Sequence, residues 1–169
     1  WTPSWNIPPG STVPVLLHTA LAPGAPPEPR IMPGLWSLIP PWSPEPRLKF
    51  PSFNARAETL TTTRSWKGAV PAHRCVIPAQ IYYEWTGPKN ARVSHVVHAP
   101  DNAPLALAGL YSWWRAGPES PWLLTATIIT RAAVGEVAAI HDRTPLILPA
   151  EFVADWINPA ITADAAYVD

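Results

Sequence analysis

Cysteine is nearly missing from this chain. Cys75 stands alone in 169 residues, which excludes an internal disulfide and a zinc site built from several thiolates, and agrees with a reducing, intracellular setting. Net charge is missing as well. Twelve Lys and Arg balance twelve Asp and Glu, so no global field recruits an anionic polymer and any nucleic-acid contact depends on local placement of cations. No stretch approaches the roughly 20 apolar residues that span a bilayer, and no basic, apolar, small-residue leader opens the sequence. The expectation is a protein free of the membrane and placed in the cytoplasm. Gly-rich phosphate loops and internal repeats are absent too.

What is present is unusual in two ways: 24 prolines and ten tryptophans. Prolines at that density disfavour long helices. Tryptophans serve cores, interfaces and base-stacking platforms alike. A hydrophobic fraction of 47% with 14% charged residues is globular, and the length suits one domain, residues 1–169, with a core large enough to stand without metal or disulfide.

After a proline-punctuated entry to Gly10, Val13 to Leu17 reads as a strand, with Pro14 favouring an edge or bulge. Leu21 to Pro33 reads as an exposed loop, and Pro40-Pro41 holds Trp42 on a stiff extended segment. Asn54 is a good N-cap for a short helix that fails by Thr61 to Thr63, and Arg64 to Gly68 suggests a second. Strands are predicted at Arg74 to Ile77, through Glu84, at Arg92 to His98, Leu105 to Trp114, Trp122 to Thr130 and Thr144 to Leu148. Helices are predicted at Ala132 to Ile140 and Pro149 to Ile157, the latter with Phe152, Val153 and Trp156 inward. The sum is an α+β fold: a strongly bent or barrel-like mixed sheet with a few short helices.

Four polar residues stand beside apolar or aromatic sequence: Asn54, Arg56, Glu84 and His141. In Gln80-Ile81-Tyr82-Tyr83-Glu84-Trp85, strand alternation puts Tyr82 and Glu84 on one face. Aromatic neighbours strip water from the ionised carboxylate and raise its pKa toward neutral, as proton exchange requires; the plain alternative is a solvent-facing glutamate. Asn54 reads equally as a cap, Arg56 as a surface charge, His141 as a helix-terminal residue facing the dipole, and Asp142-Arg143 as a local ion pair. Cys75 with His141 would make a nucleophile pair, but a cysteine in a β-branched strand is more often buried and inert. His95 and His98 fall on opposite faces of a strand, so no metal site and no cofactor is expected.

Six stretches occur together in one order: Trp36-Ser37-Leu38-Ile39-Pro40-Pro41-Trp42, Phe53-Asn54-Ala55-Arg56-Ala57-Glu58-Thr59, Arg74 to Ala79, Tyr82-Tyr83-Glu84-Trp85, Ala108-Gly109-Leu110-Tyr111 and Ile140-His141-Asp142-Arg143-Thr144-Pro145. Together they resemble the SRAP domain, the SOS response-associated peptidase family, whose members shield abasic sites in single-stranded DNA. The resemblance implies a covalent mechanism. An N-terminal cysteine attacks the aldehyde of the ring-opened abasic sugar through its α-amine, and its thiol then closes a thiazolidine that keeps the DNA attached. It further implies Glu84 as proton shuttle, Asn54 as the group orienting the cysteine or open sugar, and His141 as the partner of the sugar hydroxyl or phosphate. Arg56 and Arg143 become DNA contacts, with Trp42 and Trp85 stacking on or wedging the strand.

Departures from the family pattern set further expectations. The sequence starts after the family's Met-Cys-Gly-Arg and stops soon after Ala160, so truncation at both ends is expected. Cys75, with no free α-amine, cannot replace the missing nucleophile. Ser37 stands for a usual glycine and Thr144 for a usual methionine, both expected near the DNA cleft. The expected partner is abasic single-stranded DNA, bound by a monomer. The alternatives are a thiol or amide hydrolase, acting on peptides or on its own start, and a non-catalytic single-strand binding module.

Overall fold

The structure, a computed structural model, describes residues 4–20, 22, 24–46 and 48–168. Trp1 to Pro3, Leu21, Pro23, Arg47 and Asp169 lie outside these, including the start of the expected entry segment and part of the expected loop.

Five strands close on themselves. β1 (Thr12–Thr19) pairs antiparallel with β2 (Glu28–Trp36) and with β4 (Arg74–Ala79), β4 pairs with β7 (Leu105–Trp114), and β7 pairs with β8 (Leu123–Ala132). A parallel contact, Leu35 to Thr125 and Trp36 to Ala126, joins β2 to β8 and completes the ring. Closure into a mixed barrel leaves none of the five an open edge along its whole length. β3 (Asn54–Arg56) continues the parallel edge of β8 beyond β2, and β9 (Arg143–Pro145) takes the opposite edge beyond β7. β10 (Ile147–Leu148) adds to β7, while β5 (Tyr82–Thr86) and β6 (Val93–Val97) form a separate hairpin.

Strand alternation sorts the side chains into two cores. Val13, Val15 and Leu17, Cys75 and Ile77, Leu107 and Tyr111, and Leu124, Ala126 and Ile128 fill the barrel. Their neighbours Val76, Ala108, Leu110 and Ile129 face outward, under Leu60, Trp66 and the short helix α1 (Val153–Ile157). A Cβ on Gly109 would stand 2.6 Å from the Thr127 carbonyl oxygen, so only glycine lets β7 cross β8 this closely. Burial pushes the Cys75 thiol far up, and its wholly enclosed position removes it as a nucleophile.

Several local expectations are corrected. Half of the expected Leu21 to Pro33 loop is strand β2. Its prolines are tolerated because Pro33 faces Pro14 and Pro29 faces His18, rungs of the same parity, so the missing N–H groups all fall outside the β1–β2 ladder. Pro14 lies beyond Leu16–Val76, the pair that joins β1 to β4, so its missing N–H falls on an unladdered stretch of the barrel, the edge-like place expected for it. Asn54 caps nothing: it opens β3, and the following turn, Ala57–Thr59, is a 3₁₀ segment with no side-chain cap. Residues 64–68 form hydrogen-bonded turns, not a helix. The helix expected at Ala132 to Ile140 shrinks to a 3₁₀ segment, Gly135–Ala139. The helix from Pro149 splits into a 3₁₀ turn, Ala150–Phe152, and α1, with Phe152 outside.

No helix among the described residues is long and apolar enough to cross a membrane.

Candidate functional site

A cleft of about 1060 Å³ opens over one end of the barrel. Val13, Ile77, Leu107 and Ile128, whose side chains belong to the barrel core, give it an apolar floor. Asn54 from β3, Glu84 from β5, and His141 and Arg143 from the segment before and into β9 all line it. Trp85 lines it too, half exposed, as do Trp36 and residues Ser4 to Pro9. The volume lies just above the roughly 300–1,000 Å³ of small-molecule pockets, which suits a stretch of polymer as well as a compact ligand.

Each polar group has a local reason for its place. Glu84 shares a face of β5 with Tyr82, and the hairpin register sets it opposite His95. Burial over the apolar floor raises its pKa, opposed by nearby His141 and reinforced by Asp142, so the neutral acid and the carboxylate are brought closer in energy around neutrality. The Tyr82 hydroxyl bonds Thr144 Oγ1 at 2.9 Å, tying the hairpin to β9. The Arg143 backbone N–H donates to His141 Nδ1 at 2.9 Å. Nδ1 also lies 3.1 Å from the Arg143 carbonyl oxygen and 3.2 Å from Asp142 Oδ1, so this turn meets it with one donor and two acceptors and serves the ring in either tautomer.

Arg143 does not pair with Asp142, the local partner expected from sequence. Its Nη1 and Nη2 donate to the two Glu58 oxygens at 2.7 and 2.9 Å, and Nη2 also donates to the Thr130 carbonyl. This charge-assisted pair lowers the Glu58 pKa to about 2. A depressed carboxylate stabilises the fold above its unfolded pKa and loses that contribution as pH falls through the folded value. The stability difference between wild type and Glu58→Gln is therefore expected above pH 4.5 and gone near pH 2. Glu58 is half exposed, so screening holds the difference to about 1 kcal/mol; denaturant unfolding across that pH range measures it.

Two expected site residues are not brought into the cleft. Arg56 lies just outside, on the same exposed face of β3 as Asn54. Trp42 lines a different cavity of about 290 Å³ under the Arg64 guanidinium, 4.2 Å from its ring centroid. Of the two departures from the family pattern, Thr144 is in the cleft, whereas Ser37 is not and instead bonds Ser52. Sequence reasoning missed Glu58 and Tyr82. Tyr82 was findable, because it shares the face of Glu84 at period two; nothing in spacing pairs Glu58 with a residue 85 positions away.

The SOS response associated peptidase (SRAP) family model matches residues 1–168. Abasic site processing protein YoqW of Bacillus subtilis is 40% identical over 129 residues, 75% of this chain and 57% of its own length. YoaM of the same organism, also an abasic site processing protein, is 31% identical and covers 96% of this chain and 69% of itself. Chicken abasic site processing protein HMCES is 28% identical, covering 94% and 54%. The chain thus spans little more than half the length of YoqW and HMCES. Among solved structures, a Bordetella bronchiseptica protein superposes with TM-score 0.77 at 27% identity, over 98% of this chain and 81% of that one. A phage-related protein of that organism gives 0.70 at 33%, over 96% and 72%. With the motifs in order, the barrel shared with solved structures and a family match over nearly its whole length, the chain belongs to the SOS response-associated peptidase family.

Proposed function

We propose that this protein recognises abasic sites in single-stranded DNA and, in a chain carrying the family's N-terminal cysteine, crosslinks to them. The observation that carries the reading is the convergence of Asn54, Glu84 and His141 on the cleft along which Ser4 to Pro9 also run. This supports a reading in which a nucleophile carried N-terminal to those residues works in the same cleft as the three polar groups.

The chemistry follows from what the groups do with protons. The cysteine α-amine adds to the sugar aldehyde to give a carbinolamine, and loss of water leaves an imine. Addition of the thiol to the imine carbon, with its proton passing to nitrogen, closes the thiazolidine. None of the three steps is a redox reaction. Water leaves only if the hydroxyl is protonated, and the amine attacks only when neutral, so one group must give and take protons near neutrality. Glu84, with its pKa raised by burial, fills that role. Asn54 presents donor and acceptor at once to the open sugar, and His141, when Nε2 carries a proton, donates from it to a hydroxyl or phosphate oxygen.

Incubation of protein bearing the Met-Cys-Gly-Arg start with a single-stranded oligonucleotide containing one abasic site tests the reading. A heat-stable adduct that forms without borohydride is the expected result. Peptide turnover with no adduct would point to a hydrolase, and salt-sensitive retention alone to a binding module. Arg56 extends the Asn54 face toward solvent and is assigned a phosphate. Arg56→Ala is expected to weaken retention of single strands and to flatten the plot of log affinity against log salt by about 0.7. An unchanged slope in filter binding would reject that assignment.

A further inference from the structure

Glu58 has no part in the chemistry above, yet its position is informative. It follows β3 on the turn Ala57–Thr59 and holds Arg143 by both carboxylate oxygens. To reach it, the guanidinium lies across β8, where Nη2 donates to the Thr130 carbonyl at 2.7 Å. Thr130 is the β8 residue that pairs with Arg56 of β3 on one edge and with Pro145 of β9 on the other. The bridge therefore staples three neighbouring strands. Its two outer strands hold two of the cleft's polar groups: Asn54 opens β3, and His141 stands two residues before Thr-containing β9, its Nδ1 held by the Arg143 N–H. Of the three ion pairs among the described residues, the other two join residues one or two apart in sequence. Only this one links distant elements.

We infer that Glu58 is a positioning residue, which fixes the span between Asn54 and His141, and the setting of the His141 ring, by anchoring Arg143 across β8. Arg143 is thereby a clamp in the free protein rather than an open phosphate contact, since Nη1 and Nη2 are both engaged. What the fixed span is used for rests on the function proposed above; the span itself does not.

The test uses Glu58→Gln and Glu58→Ala with two readouts. The first is the nitrogen NMR signature of the His141 ring, which reports its tautomer and needs no substrate. Wild type is expected to show one set of ring signals, and the variants signals that are shifted or broadened as the ring samples more than one setting. The second is adduct formation on abasic single strands by protein bearing the cysteine start. It is expected to slow roughly 10–100-fold, the scale of a misplaced reacting group. Retention of undamaged strands should not fall, and its salt slope should steepen by up to about 0.7 as Arg143 is released. His141 resonances that stay at their wild-type positions in both variants overturn the inference, as does an unchanged adduct rate in protein whose wild type reacts. A wild type that forms no adduct sinks the proposed function, and the His141 signature then decides this inference alone. If Glu58→Ala fails to fold, Glu58→Gln, which keeps the shape of the side chain, supplies both readouts.

Discussion

Glu84→Gln is expected to slow adduct formation by about 10²–10⁴-fold, the usual contribution of a positioned acid or base, while binding to undamaged single strands is retained. Gln keeps the shape and one hydrogen-bond acceptor but cannot exchange a proton. The same substitution carries a stability signature of opposite sign. Burial raises the Glu84 pKa above its ordinary value, so the ionised form is disfavoured in the fold, and stability falls as pH rises from the unfolded pKa through the folded one. Removing the ionisable group relieves that penalty. The variant is therefore expected to be as stable as wild type at neutral pH or more so, a trade of stability for activity common at functional sites. Equal loss of rate and of binding, or a drop in melting temperature, would make Glu84 a structural residue.

Arg74→Met is expected to have the largest effect on stability. Arg74 is 1% exposed, at the start of β4. Nε donates to the Trp156 carbonyl at 2.7 Å, Nη1 to those of Val70 and Pro71, and Nη2 to those of Asn158 and Ile161. Its guanidinium lies beside the rings of Trp156 and Tyr167, with centroids at 5.7 and 5.4 Å. Among the described residues no carboxylate pairs with it; five carbonyls do. One side chain thus joins the turns before β4 to α1 and the segment beyond it. Methionine fills much of the volume but strands several buried acceptors, at about 1–3 kcal/mol each. A loss of at least about 3 kcal/mol corresponds to a drop of roughly 6–12 °C in Tm for a chain of this size. Arg74→Lys should recover only part, because three donors on one nitrogen cannot serve carbonyls set around a planar fork. A melting temperature within a degree or two of wild type for Arg74→Met would refute this.

The barrel was legible where alternation was strong. The apolar run Leu105 to Trp114 is strand β7 with the bounds expected, because alternate residues face two cores and nothing in it breaks a ladder. β2 was hidden by its prolines, whose harmlessness depends on rung parity with β1 and therefore on a register no local reading contains. Asn54 misled in a related way. A residue type that caps helices looks the same when it starts a short parallel strand, and only pairing with Ile128 decides. The site was legible as a set of odd polar residues and a family resemblance. Its long-range linkages were not: Glu58 with Arg143 and Tyr82 with Thr144 depend on which strands become neighbours of β8 and β9. Trp42 was placed with the site because it shares a motif with neighbours that approach it, whereas its own ring packs under Arg64 in a separate cavity.

The central claim is that Asn54, Glu84 and His141 meet one stretch of DNA in one cleft. Hydrogen exchange of the protein, with and without a single-stranded oligonucleotide carrying an unreactive tetrahydrofuran abasic analogue, tests it without requiring the crosslink. Simultaneous slowing of exchange in 54–56, 82–86 and 141–145 is the predicted result. Protection confined to any one of these segments, or found only around Trp42 and Arg64, would contradict it.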